Sequence, residues 1–346
     1  MELLTADTLP NRFETAEDVD AFLRRPSAAL IQDLQRVDGD IMVLGVAGKM
    51  GPTLAGLAKA AAPDKRVIGV ARFSDPAQKA KLESWGVETV TCDLLDRSQL
   101  ERLPKVPNIV FMAGFKFGAE GAKSLTWAMN AHVPAMVAET FTESRIIAFS
   151  TGCVYPFVGL ESGGATEDLP LDPPGEYAQS CVGRERMFEH FSARHGTPGR
   201  LFRLNYAIDV RYGVLYDIAS KIAAGQPIDL TMGWVNVIWQ GDANAQALRC
   251  LARCTTPTSP INVTGPETLS VRWLARELGR RLGREPVLQG SEAPTAWLSN
   301  TTQAVREFGY PVVGIGHMLD WVADWVGRGQ AGYGKPTKFE IRDGKY

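Results

Sequence analysis

Residues 41–51 read Ile41-Met-Val-Leu-Gly45-Val-Ala-Gly48-Lys-Met-Gly51, and the helix-forming run Thr53-Leu-Ala-Gly-Leu-Ala-Lys-Ala-Ala-Ala62 follows at once. Four apolar residues entering glycines at every third position describe a buried strand, a tight turn and a helix start. Glycine reaches backbone angles that other residues resist, and without a side chain it lets a diphosphate approach the main chain. The helix start adds unpaired N–H groups and the positive end of the helix dipole. An ordinary strand–turn–helix corner can carry the same glycines. A strand before them and a helix after them are what a dinucleotide site requires.

Downstream, apolar strands and helical stretches alternate. Arg66–Ala71 leads to a helix near 76–85, and Glu88–Cys92 to Asp96–Leu103. Asn108–Ala113 leads to a long helix near 119–141, and Arg145–Ser150 follows. This alternation predicts βαβ units and an α/β fold: a Rossmann-like, doubly wound parallel sheet with its ligand at the carboxyl ends of the strands. Residues 40–205 are expected to form that dinucleotide-binding domain, with 235–260 returning to it. Residues 206–234 and 261–330 have a different texture, broken by Gly213, Gly225, Pro227, Gly233, Gly265 and Pro266, and are assigned to a smaller substrate-binding lobe. Upstream, Thr15 before Glu17 and Asp18, and Ser27 before Ala-Ala-Leu-Ile, read as helix caps, so residues 1–39 are a helical extension outside the core. The Gly- and Lys-rich residues 331–346 read as a surface tail.

The chain of 346 residues carries 45% hydrophobic and 22% charged residues and a formal net charge of −2, as a soluble enzyme does and a nucleic-acid or anionic-membrane binder does not. It has no apolar run of about 18 residues, the least that spans a bilayer. The opening Met-Glu-Leu-Leu-Thr-Ala-Asp lacks the basic-then-apolar order of a secretory signal. Cys92, Cys153, Cys181, Cys250 and Cys254 match neither a zinc pattern nor a disulfide framework. A reducing, cytoplasmic setting is expected. His132, His190, His195 and His317 are scattered, so no metal site is expected.

Where the second strand of a dinucleotide fold normally ends in an acid for the ribose hydroxyls, this chain has Ala71 followed by Arg72. Losing the carboxylate removes repulsion toward a 2′-phosphate, and Arg72 can pair with one in a bidentate way, with Lys49 as a second cation. The cofactor expectation is therefore NADP, with NAD as the alternative. Asp93, beyond the third strand, is a candidate acceptor for the adenine amino group or a turn cap.

Three further stretches complete a pattern: Phe111-Met-Ala-Gly-Phe-Lys-Phe-Gly118, Phe149-Ser-Thr-Gly-Cys-Val-Tyr-Pro156 and Glu176-Tyr-Ala-Gln-Ser-Cys181. With the glycine turn, and with Arg203-Leu-Asn205 and Ile261-Asn-Val-Thr-Gly265 beyond, they resemble the extended short-chain dehydrogenase/reductases, the NAD-dependent epimerases and dehydratases, over roughly residues 40–325. The resemblance implies that Gly45, Gly48, Lys49, Met50, Gly51, Arg72, Asp93, Leu94, Ala113, Gly114, Lys116 and Tyr177 face the cofactor. It implies that Lys116, Thr151, Gly152, Cys153 and Asn205 face the substrate, with Asn130 supporting the site. Tyr177 matches the family's acid/base and Thr151 the residue that orients the substrate hydroxyl. Moving a hydride from a carbinol carbon requires removal of the hydroxyl proton, and a phenol with its ordinary pKa near 10 needs a nearby cation to accept it.

The family supplies that cation from a Lys one helical turn after the Tyr, where this chain has Cys181. An oxidised nicotinamide could suffice, Lys116 or Arg184 could substitute, or the protein could bind a dinucleotide without turnover. Nucleotide-sugar members also carry an Arg that grips the diphosphate, and its place is Val235 here. The reading is thus an NAD(P)-dependent oxidoreductase or epimerase for a small sugar, polyol or sugar acid. A nucleotide-sugar epimerase or dehydratase is the alternative, and Trp234, Trp239, Trp297 and Tyr212 are either sugar-stacking or core aromatics. A homodimer through the helices around 119–141 and 177–194 is what the resemblance implies.

Overall fold

A computed structural model describes residues 2–116 and 118–345. Phe117, in the fourth-strand stretch quoted above, lies outside them. Seven parallel strands form the central sheet: β1 (Ile41–Leu44), β2 (Val67–Ala71), β3 (Glu88–Thr91), β4 (Asn108–Phe111), β5 (Arg145–Thr151), β6 (Gly199–Leu204) and β7 (Ser259–Val263), in the order β7-β6-β5-β4-β1-β2-β3. The order reverses between β1 and β4, which pair in parallel from Ile41 opposite Asn108 to Leu44 opposite Phe111. A crevice opens at such a switch point, beyond the carboxyl ends of the strands.

The pleat sorts the apolar residues. Ile41 and Val43 face one core with Leu54, Leu57 and Phe202, while Met42 and Leu44 face another with Ile109, Phe111 and Phe188. The helices covering the sheet include α1 (Ala16–Leu23), α2 (Ala28–Gln35), α3 (Gly51–Ala61), α4 (Pro76–Ser84), α5 (Arg97–Glu101), α6 (Lys123–Trp127), α7 (Val133–Thr140) and α8 (Glu176–His195). Between α6 and α7 the residues Ala128–His132 form a π-helical turn, so the expected long helix is locally underwound in its middle. A third core, around Leu215, Ile218, Leu274, Trp297 and Trp321, belongs to the smaller lobe; of the helices α9 (Val214–Ala223), α10 (Gln240–Arg249), α11 (Val271–Leu282), α12 (Thr302–Phe308) and α13 (Ile315–Gly327), it takes residues of α9, α11 and α13, while Ala247 of α10 and Ala304 of α12 join the sheet core of Ile41. Of these, α10 packs on the sheet side, where Gln240 and Asn244 donate to Thr53 Oγ1 of α3 at 3.1 and 3.2 Å. Val235 is buried in the smaller lobe's core, and Trp234–Val235 pairs with Leu269–Ser270.

Both chain ends are bonded to the rest of the molecule. Thr15 and Ser27 do cap α1 and α2, accepting from Asp18 N and Leu30 N at 3.1 and 3.2 Å. The extension is nevertheless built into the core. Phe13 and Phe22 lie within 5.0 to 6.2 Å of the rings of Trp239 and Trp321, because a short amphipathic helix gains most by burying its aromatic face. Residues 331–345 lie at the surface at Gly334, Lys335 and Pro336, and are anchored elsewhere. Thr337 and Phe339 are 4% and 1% exposed, Thr337 N donates to Asp217 Oδ2 at 2.7 Å, and Arg342 donates to Thr295 O at 2.7 Å.

Candidate active site

One cavity of about 870 Å³ opens at the switch point, and it collects residues from nine separate stretches. The glycine turn forms its floor. Gly45 has φ +84°, and a Cβ there would stand 2.6 Å from Ala113 N; one on Gly51 would stand 2.1 Å from Val46 O. These two glycines are required by the chain's own packing. Gly48 is different: a Cβ would meet nothing closer than Gly45 O at 3.6 Å, so its bareness serves the cavity side. Beyond it, α3 begins with Met50 as N-cap and no side chain bonded to its first amides. Helix starts with such orphan amides hold anions.

The far wall carries the chemistry. Thr151 ends β5, its Oγ1 accepting from Cys153 N at 3.1 Å, and Tyr177 lies in the first turn of α8; both line the cavity. Burial pushes the Tyr177 phenol well above its ordinary value. The neighbouring Cys181 and Cys153 add to that, and Arg184 opposes it. Cys181 occupies the position of the expected lysine as a fully buried thiol among Val154, Tyr155 and Ala165, hydrogen-bonded to Tyr177, and burial raises its pKa as well.

Two cations approach Tyr177. Lys116 Nζ lies 5.4 Å from the Tyr177 ring centroid. Arg184, two turns along α8, donates to Phe149 O at 2.6 Å and Asn130 Oδ1 at 2.8 Å and lines the cavity under Gly114. Asn130, in the π-helical turn, also accepts from Phe115 N and donates to Phe115 O and Ser180 Oγ, and Ser180 Oγ donates to Tyr177 O. The turn thus aims an amide at the backbone of the β4 loop and ties Arg184 to the helix of Tyr177.

Behind this wall lies a buried ion pair. Arg203 Nη2 donates to Glu185 Oε2 at 2.7 Å, Ser150 Oγ donates to Glu185 Oε1 at 2.5 Å, and Arg203 Nη1 donates to Tyr155 Oη at 2.6 Å. Tyr155 Oη in turn donates to Asn262 Oδ1 at 2.8 Å. Strands β5, β6 and β7 are thereby bonded to α8 one residue from Thr151.

Gly45, Gly48, Lys49, Met50, Gly51, Gly114, Lys116, Thr151, Cys153, Tyr177 and Asn205 all line the cavity. Arg72, Asp93, Leu94, Ala113 and Gly152 do not. Arg72 is exposed at the end of β2, and Asp93 accepts from Leu95 N at 3.0 Å as a turn cap. Leu94 and Ala113 turn their side chains into the core, and Gly152 lies under Asn205. Lys49, expected beside a 2′-phosphate, instead sits with Nζ 3.4 Å from the centroid of the Tyr212 ring, toward the smaller lobe. Burial pushes it down to about 7, with Lys116 and Lys335 adding repulsion. Among the aromatics, Tyr212 lines the cavity, whereas Trp239 and Trp297 are core residues, 0% and 1% exposed. The sequence reading missed Tyr206, held at φ +42°, and Tyr333, Lys335 and Thr337 from the tail. An unusual non-glycine backbone at a cavity often marks function, but no sequence signal announces it.

Among the described residues no three His, Cys, Asp or Glu side chains come together as a metal site, and no helix is long and apolar enough to cross a membrane.

A family model described as the NAD dependent epimerase/dehydratase family matches residues 41–231. A search among curated protein sequences finds no match. Similar solved structures include Pal from Bacillus thuringiensis, at 15% identity and TM-score 0.71, covering 84% of this chain and 100% of that one. UDP-glucuronic acid 4-epimerase from Bacillus cereus in complex with NAD is 18% identical with TM-score 0.70, covering 84% and 99%. The dTDP-glucose 4,6-dehydratase DesIV from Streptomyces venezuelae, with NAD and TYD bound, is 20% identical with TM-score 0.70, covering 83% and 96%.

Proposed function

This chain belongs to the NAD-dependent epimerase/dehydratase family, and from that premise we propose that it binds a nicotinamide dinucleotide over the glycine turn and acts on a carbinol carbon of a carbohydrate substrate. The observation that carries the reading is the meeting of Gly48, the uncapped start of α3, Thr151 and Tyr177 on one cavity. The residues present fit the cofactor, since Gly48 leaves open the space a Cβ would fill and the first amides of α3 have no side-chain cap. When bound, the nicotinamide supplies reversible hydride transfer.

The chain's own groups handle the proton. Thr151 positions the substrate hydroxyl, and Tyr177 takes its proton as the carbon is oxidised and returns it as the carbon is reduced. A phenol held this far above neutrality is a poor base unless positive charge is added next to it. Arg184 is the standing cation on the α8 side and Lys116 on the ring side, and they take over the role of the lysine replaced by Cys181. With a nicotinamide bound, the same proton transfer at Tyr177 and the same orientation by Thr151 would serve a net oxidation or an epimerisation. Dehydration would need in addition a base for the proton on the carbon next to the carbonyl and an acid for the departing β-hydroxyl.

The similar epimerase and dehydratase structures hold NAD, and NAD is the cofactor we adopt; exposed Arg72 without an acid at Ala71 is what favours NADP. A further complex of the Bacillus cereus epimerase holds UDP-glucuronic acid with NAD, which favours a nucleotide-linked sugar. The second reading, a small sugar or sugar acid without a nucleotide, rests on Val235, an apolar core residue at the place where a diphosphate-gripping Arg would stand. The test is Tyr177→Phe. Turnover of a nucleotide-sugar panel, followed by product chromatography with NAD present, should fall by about 10²-fold or more. Unchanged turnover would remove Tyr177 from the mechanism.

A further inference from the structure

The chain leaves the central sheet at Tyr206. Leu204, the last residue of β6, is the register partner of Thr151 on β5, and Ala207–Ile208 already pair in parallel with Ile238–Trp239 outside that sheet. Tyr206 itself makes the turn between the two pairings, at φ +42°, with its carbonyl accepting from Ile238 N at 3.2 Å. This is left-handed backbone, which glycine takes freely and a bulky side chain makes strained. Strain of this kind persists only where the surroundings over-determine it, and it clusters at ligand sites. The residue before is fixed too. Asn205 rests on Gly152, where a Cβ would stand 2.9 Å from Asn205 Cβ, and it donates to Trp297 O at 3.3 Å.

The side chain placed in this way lines the cavity with Thr151, Asn205 and Tyr177. Its ring packs against the core of the smaller lobe. Burial pushes its phenol well above the ordinary value, and Cys153, Glu340 and Tyr212 add to that. Cys153 also raises Tyr177, so both phenols stand near one thiol. The two tyrosines that border this region differ in one respect. The Tyr155 hydroxyl, in the wall behind, is bonded to both Arg203 and Asn262. The Tyr206 hydroxyl has no hydrogen-bond partner among the described residues. Phenylalanine would fill the same space against the core, so packing does not account for the hydroxyl. A buried phenol ordinarily finds a partner, and the cavity is the side from which one can come. Held neutral, the phenol both donates and accepts, as a sugar hydroxyl does.

We propose that Tyr206 is a specificity-determining residue, whose hydroxyl binds a hydroxyl of the carbohydrate other than the one that Thr151 orients and Tyr177 deprotonates. This rests on the carbohydrate reading above and narrows it to a substrate with a second hydroxyl near the reacting carbon. Thr151 ends β5 and Tyr206 follows β6, and neighbouring strands lie roughly 4.8 Å apart. One sugar ring spans that separation.

The experiment is calorimetric titration of the full chain, with saturating NAD, against UDP-glucose, UDP-glucuronate, dTDP-glucose and D-glucuronate, with UDP and dTDP as probes without a sugar. Tyr206→Phe should weaken the tightest-binding sugar about 3- to 10-fold, the worth of one neutral hydrogen bond. It should leave UDP and dTDP binding unchanged. The melting temperature should also stay where it is, because the hydroxyl is bonded to nothing in the protein. Unchanged sugar affinity overturns the inference, as does the absence of any sugar binding at the highest soluble concentration. Equal weakening of UDP or dTDP overturns it by placing the hydroxyl on the nucleotide, and a lowered melting temperature by giving it to the fold. NAD binding is titrated separately on both proteins. Its absence from the wild type refutes the cofactor reading, whereas intact NAD binding with no effect of Tyr206→Phe on the sugar refutes only this inference.

Discussion

Replacing Arg203 by Met tests whether the ion pair behind Tyr177 holds the site's walls together. Arg203 is 3% exposed as a residue, and Glu185 is 0% exposed. The guanidinium donates to both Glu185 oxygens, at 3.1, 3.2 and 2.7 Å, and also to Tyr155 Oη and Glu167 O. Methionine keeps much of the stem's volume and removes the donors. Glu185 would then keep only Ser150 Oγ in a dry environment. Breaking a buried pair from one side costs about 3–5 kcal/mol, because the surviving charge stays desolvated. That is a large part of the roughly 5–15 kcal/mol by which folded domains are stable. Urea unfolding followed by both tryptophan fluorescence and circular dichroism would measure it, coincident transitions being the condition for a single free energy. The double variant Arg203→Met with Glu185→Leu should lose clearly less than the sum of the two single losses, by about 2 kcal/mol or more. A single-variant loss below about 1 kcal/mol, the size of an exposed pair, would refute the reasoning, and so would strict additivity.

The two kinds of glycine in the turn should separate. Gly51→Ala forces a Cβ into Val46 O and should lower the melting temperature markedly, while Gly48→Ala should leave melting unchanged and weaken NAD binding in a fluorescence titration. Burial pushes the Asp242 carboxyl up to about 6 from 3.8, despite the amides of Val312 and Val313. The folded chain therefore holds this proton more firmly than the unfolded one, and the group's contribution to stability falls as pH rises from about 4 to about 6. Relative to Asp242→Asn, the wild type should lose up to about 3 kcal/mol across that window in urea midpoints at stepped pH; a parallel pH profile for the two proteins would show that Asp242 does not titrate there. Leu125 and Trp127 on α6 are each 40% exposed, on the helix pair through which a homodimer is proposed. Light scattering should give a dimer that Trp127→Glu converts to monomer, and a monomeric wild type would end that proposal.

The sheet and the cofactor floor were legible because their signals are local. Alternating faces in Ile41–Leu44, glycines every third residue and a helix straight after them fix a strand, a turn and a helix start within a dozen residues. Thr151 and Tyr177 could be found because each sits at a fixed offset from its own motif. What escaped depends on partners far along the chain. Asp20 looks like any acid in a short helix until Arg211, 191 residues away, pairs with it. Lys335 sits in a stretch without periodicity, and its place at the cavity rim depends on the bond from Thr337 to Asp217, 120 residues distant. Lys49 sits in the phosphate turn, yet Tyr212 of the other lobe draws it across. The sequence shows that Cys181 is no lysine; that the space holds a dry thiol bonded to Tyr177, with Arg184 braced by Asn130, needs the packing of three elements.

The clasp at Arg211 joins the two ends of the described chain: Asp20 from the extension pairs with it, and Tyr333 from the tail bonds to its carbonyl. Synthesis is vectorial and domains fold as they emerge. The dinucleotide floor can therefore form early on the ribosome, while the chamber beside Tyr177 still lacks a wall. Part of that wall arrives with Tyr333, Lys335 and Thr337, so the cavity stays open on this side until the segment is made, and proteolytic trimming of residues 331–345 would open it again.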